Sequence, residues 1–103
     1  MTKRYIDLVS EEDCYLIHGY SHLVIWKSKG TAVVETPEMG FRGGIDGAAV
    51  KGVSLDQKTR ELSLQFLQSG KPNQINLGEV TNYDKALEWV KSVNDFYSHQ
   101  VSN

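Results

Sequence analysis

From Asn82 to about Gln100 the apolar residues fall three and four positions apart, at Tyr83, Ala86, Leu87, Val90, Val93, Phe96 and Tyr97. That spacing draws one stripe along an α-helix and leaves Glu88, Lys91, Ser92 and Asp95 on the opposite side. Thr81 or Asn82 suits the cap of the first turn, where a side-chain oxygen accepts a backbone N–H, and Asp84 suits the positive end of the helix dipole. Upstream the period changes to two. Leu62, Leu64 and Phe66 alternate with Ser63 and Gln65, which predicts a half-buried strand. Ser69-Gly70-Lys71-Pro72 reads as a turn, after which Ile75 and Leu77 resume the alternation. Asp56 to Thr59 reads as a second turn, joining a Val50–Leu55 strand to the Leu62 strand, so the three segments form an antiparallel meander.

The first half is rich in β-branched and aromatic residues over Cys14–Tyr20, His22–Lys27 and Thr31–Thr36. Gly19-Tyr20-Ser21 and Ser28-Lys29-Gly30 punctuate these runs. Tyr5–Ser10 supplies a first strand. A rival reading makes Leu8–Tyr20 a helix, because Glu11, Glu12 and Asp13 are poor strand residues. Pro37–Gly47, with Gly40, Gly43, Gly44 and Gly47, reads as the main loop. The fold class is therefore α+β: about seven short antiparallel strands, as a sandwich or partly open barrel, followed by one C-terminal amphipathic helix of about residues 82–100. No repeat or linker divides residues 1–103, so one domain is expected.

Strands followed by a single helix, with Trp89 inside Ala86-Leu87-Glu88-Trp89-Val90, resemble the pleckstrin-homology (PH-like) superfold. The resemblance is architectural and covers nearly the whole chain. It implies a curved antiparallel sandwich plugged by the helix. It also implies a headgroup-contacting role for basic residues between early strands, here Lys27 and Lys29 beside Trp26.

Composition narrows the function classes. Hydrophobic residues make up 40% and charged residues 23%, as in ordinary globular chains. The net charge of -2 lacks the basic excess that phosphate backbones require, and it disfavours an anionic membrane surface as well. One cysteine, Cys14, allows no internal disulfide, which suits a reducing, cytoplasmic setting. The N-terminal Lys3 and Arg4 are followed by no apolar signal region.

Three features invite chemistry. Cys14, His18 and His22 are four apart, and thiolate and imidazole are good zinc ligands. Along a strand, however, four residues span roughly 13 Å, and a turn at Gly19–Ser21 breaks the shared face, so a small buried cysteine is the plainer reading. The glycine-rich segment 40–47 could cradle a phosphate with Arg42. It lacks the Gly-Lys-Ser/Thr step into a helix that a phosphate-binding loop needs. Phe41 beside Arg42 makes an anchor pair for a protein partner.

Nothing in the sequence calls for a cofactor, and no nucleophile–base arrangement stands out. The reading favoured is a non-catalytic protein or peptide interaction module, with self-association through a sheet edge giving a homodimer. Its expected contacts are Phe41, Arg42, Trp26, Lys27 and Lys29. The alternatives are a small-ligand or metal site at Cys14, His18 and His22 or the glycine-rich segment, and a small phage or bacterial effector or inhibitor.

Overall fold

The computed structural model describes residues 4–37 and 40–101. In chain order the strands are β1 (Tyr5–Ser10), β2 (Cys14–Gly19), β3 (His22–Trp26), β4 (Ala32–Thr36) and β5 (Phe41–Ile45). A short 3-10 turn, Gly47–Ala49, leads into β6 (Val50–Leu55), β7 (Glu61–Gln68) and β8 (Lys71–Val80), and helix α1 (Tyr83–Val101) ends the chain.

The eight strands form one mixed, open sheet in the order β5-β4-β3-β2-β1-β8-β7-β6. Two antiparallel meanders, β1–β5 and β6–β8, meet at a short parallel seam where Tyr5 and Ile6 of β1 oppose Glu79 and Val80 of β8. Period-2 alternation sends Leu62, Leu64 and Phe66 of β7 inward, each buried, while Ser63 and Gln65 face out. Helix α1 crosses the inner face and packs chiefly against β6. Its stripe of Ala86, Trp89, Val93 and Tyr97 is buried with Ile6, Ile17, Leu23, Ile25 and the β7–β8 residues in one core.

The α+β class, the C-terminal helix and the strands Tyr5–Ser10 and Cys14–Gly19 follow the sequence reading. The helical alternative for Leu8–Tyr20 does not form. Glu11–Asp13, unfavourable within a strand, fall in the β1–β2 turn, where Glu11 N–H donates to the Cys14 carbonyl at 2.9 Å. The helix is capped by Asn82, whose Oδ1 accepts from Lys85 N–H at 3.2 Å. Asp56 Oδ1 accepts from Lys58 and Thr59 N–H at 2.8 and 3.0 Å and holds the turn before β7.

The expected Pro37–Gly47 loop needs correction. Phe41–Ile45 is a strand, β5, paired along β4 from Thr36↔Phe41 to Ala32↔Ile45. Ladder hydrogen bonds belong to the backbone, so a glycine-rich segment joins a sheet when a well-formed strand is presented to it. The turn between β7 and β8 is also tighter than expected: only Ser69 and Gly70 lie outside the strands, and Lys71 and Pro72 already oppose Gln68 and Leu67.

Candidate interaction surface

The two meanders share an apolar inner face and differ on the outer one. On the β6–β8 side the outer residues are amides and hydroxyls that bond one another. Gln65 Nε2 donates to Ser54 Oγ at 2.7 Å, Asn73 Nδ2 donates to Gln68 Oε1 at 2.7 Å, and Asn76 donates to Glu61. This half is finished for contact with water.

On the β1–β5 side, register places Val9, Leu16, Val24 and Val33 in one row across four strands, ending at Gly44 of β5. Val9 is 37% and Val33 46% exposed, and Leu16 and Val24 are half-buried. One step toward the strand ends, Trp26 of β3, also 46% exposed, stands opposite buried Cys14 of β2. One step the other way runs a polar row, in which Asp7 opposes His18, His22 opposes Glu35, and Glu35 opposes Arg42. An antiparallel strand with one wet face alternates apolar with polar. Strands β2, β3 and β4 are apolar on both faces, the composition of strands covered on both sides. No described segment of the chain lies over the outer row. The sequence carried this signal in the unbroken runs Cys14–Ile17, Leu23–Trp26 and Ala32–Val34. By themselves these runs indicate strands; register shows which half of each run faces out.

The residues singled out from sequence are dispersed. Trp26 belongs to the outer apolar face. Lys27 turns back: its Nζ donates to the Glu11 carbonyl at 2.7 Å and sits 4.6 Å from the centroid of the Tyr15 ring. Lys29 lies in the β3–β4 turn, where Gly30 N–H donates to the Trp26 carbonyl at 2.7 Å. Arg42 is on the outer face of β5, with Nε 3.3 Å from Glu35 Oε2. The Phe41 side chain lies outside the described residues. Cys14 and His18 share the outer face of β2 by register, and the His18 and His22 rings are 6.3 Å apart at their centroids. Among the described residues no three His, Cys, Asp or Glu side chains gather as a metal-binding group.

A cleft of about 400 Å³ opens at the end of the sheet between Tyr20 and His22 on one side and Glu35, Thr36, Pro37, Gly40 and Arg42 on the other. Thr36 at its wall and Ser21 are buried, and among the described residues neither hydroxyl has a hydrogen-bond partner.

Beneath the outer face the inner packing is tightly specified. Tyr15 meets Trp89 and Phe96 edge-on, each at 6.0 Å between centroids. Burial, with a smaller contribution from the Asp95 carboxylate, raises the Tyr15 phenol above its usual range. Trp89 Nε1 donates to the Val9 carbonyl at 3.0 Å, so the back of the outer row is pinned to the helix.

No family model, curated protein or solved structure matches this chain. No helix among the described residues is long and apolar enough to cross a membrane.

Proposed function

We propose that this chain is a non-catalytic protein-interaction module that binds a protein partner through the outer face of β1–β4. The observation that carries the reading is the register-aligned row Val9–Leu16–Val24–Val33, extended by Trp26, on a face that no described segment covers. Contiguous apolar patches with a polar rim mark contact sites, and aromatic anchors dominate binding energy within them. The PH-like relationship belongs to the same proposal, supported by strands followed by a helix that carries Trp89.

The test is capture by tagged protein from native lysate, with variants of the outer apolar face matched to one on the polar half. Val24→Ser with Val33→Ser, or Trp26→Ala, should abolish capture of a specific partner. Ser63→Lys on the polar half should leave it intact. Every variant should still fold, at a cost of up to about 1–2 kcal/mol, because Val24 and Ser63 are half-buried and none of the replaced side chains belongs to the core. Capture that survives every outer-face change would sink the reading.

A second reading rests on the cleft at Thr36. The unpartnered buried hydroxyl of Thr36 calls for a water, an ion or a ligand, and a small oxyanion there would take Arg42 from its exposed pairing with Glu35. Phosphate or a short dicarboxylate should then raise the melting temperature, with the rise lost in Thr36→Val. No shift with either compound rejects it.

A further inference from the structure

We propose that β5 pairs antiparallel with β5 of a second copy about a two-fold axis through Gly44, joining the two sheets into one. Strand β5 is a terminal strand of the open sheet, and it lacks the lysine or proline that usually blunts such an edge. The other terminal strand, β6, is capped at its middle by its own helix: Asn94 Oδ1 accepts from Val53 N–H at 2.8 Å, and Asn94 Nδ2 donates to the Val53 carbonyl at 2.9 Å. With β5 unblunted and the ladder groups at the centre of β6 taken, head-to-tail stacking of β5 on β6 is disfavoured. The remaining arrangement is a closed, isologous pair.

Gly44 is the centre of the argument. Its φ is not in the left-handed region, and a Cβ there would meet nothing nearer than the Ala32 carbonyl at 4.0 Å. Neither backbone conformation nor packing within the chain asks for glycine, although glycine weakens a strand interior. A bare backbone does serve close approach from outside. Charge then selects the register. Arg42 and Asp46 lie two residues to either side of Gly44. Asp46 follows the last residue of β5 and caps the 3-10 turn with an extended backbone, φ -57° and ψ 137°. Continuing the ladder by that one residue, pairing of Gly44 with Gly44 of the second copy sets each Arg42 opposite Asp46 of the other chain, on the same face. Asp46 is exposed and uses Oδ1 to accept from Ala48 N–H at 3.1 Å, while Arg42, also exposed, meets Glu35 Oε2 through Nε at 3.3 Å. Centring the pair on Arg42 would oppose two like charges. The chosen register also carries the outer row Val9–Leu16–Val24–Val33 across the axis into its counterpart, giving one apolar strip twice as long. This self-pairing goes beyond the protein-binding reading and stands whether or not the outer face binds another protein.

Sedimentation equilibrium of the purified chain should give twice the monomer mass at high concentration, dissociating on dilution. Arg42→Asp and Asp46→Arg should each sediment as monomers, because each sets like charges opposite one another. Mixing the two variants should restore a dimer, since both contacts then become complementary. Folding of each variant is checked by its thermal melt. Gly44→Cys should form a covalent dimer under mild oxidant, because directly opposed strand residues lie within disulfide reach. Val33→Cys should not, its mate being three strand spacings, about 14 Å, away. A wild-type monomer at every concentration overturns the proposal. So does a dimer that persists in both charge variants, or a Val33→Cys crosslink as efficient as that of Gly44→Cys. Partner capture that survives every outer-face change, with the dimer intact, would count against the outer-face reading alone.

Discussion

Tyr97 shows how much one side chain settles. It is buried on α1, and its hydroxyl donates to the Gly30 carbonyl at 2.7 Å, tying the end of the helix to the β3–β4 turn. Burial raises its phenol well above the ordinary tyrosine range, because the charged form would lose its hydration. In the unfolded chain the phenol titrates near pH 10. The stabilisation is therefore complete below about pH 10 and is lost as pH climbs above that toward the raised folded value. Chemical denaturation across the alkaline range should show stability falling there. Tyr97→Phe should cost about 1–3 kcal/mol at neutral pH, from the stranded Gly30 carbonyl. It should also flatten the alkaline decline, with Tyr15 left as the smaller contributor. An unchanged alkaline slope would mean that Tyr97 does not govern it.

At the scale of elements, the contact between helix and edge strand is a clasp between two residues. Asn94 bonds both backbone groups of Val53. It reaches them because Gly52, at φ +140°, has no Cβ, and one placed there would come 2.5 Å from Asn94 Oδ1. The irregular pairing between Val50 and Gly52 marks the same spot, where β6 bends to meet the helix. Asn94→Ala should cost about 1–3 kcal/mol by leaving Val53 unpaired. Gly52→Ala should cost a similar amount or more, since backbone strain adds to the clash. Measured together, the two should be sub-additive by about 0.5–3 kcal/mol, because removing the amide also removes the clash. Strict additivity in urea unfolding would show that the two do not meet.

Across the whole molecule, the parallel seam between β1 and β8 joins the two meanders over only two residue pairs. Close backbone approach makes it possible. Gly78 lies at φ +132°, where a Cβ would come 2.6 Å from the Arg4 carbonyl, and Gly19 lies on the other side of β1, where a Cβ would come 2.5 Å from the Tyr5 carbonyl. Gly78→Ala must push β1 away from β8 or adopt a different backbone, at a cost of about 2–4 kcal/mol. Hydrogen exchange should then quicken first at Glu79, whose N–H donates to the Arg4 carbonyl across the seam at 2.7 Å. Uniform protection at the seam, with only a small shift in melting, would show that it tolerates the side chain.

Much of this fold was legible in the chain. Helix α1 and strand β7 were readable because their periods, 3.6 and 2, are imposed by backbone geometry and appear directly in the order of residues. The turn at Asp56 and the cap at Asn82 were readable because their bonds are made within a few residues. β5 was not: its pairing partner, rather than its own composition, makes it a strand, and its glycines point equally well to a loop. The candidate surface was half-legible. Unbroken apolar runs marked β2, β3 and β4, but which residues of each run meet the core is fixed by register with neighbouring strands. Only the sheet order shows that β5 and β6 are edges and that one of them is already capped at its middle by Asn94. The sequence by itself determined the elements whose stabilising contacts are local. The tertiary structure alone decided the seam, the free edge and the exposed apolar row, because each depends on which distant backbones come to lie 5 Å apart.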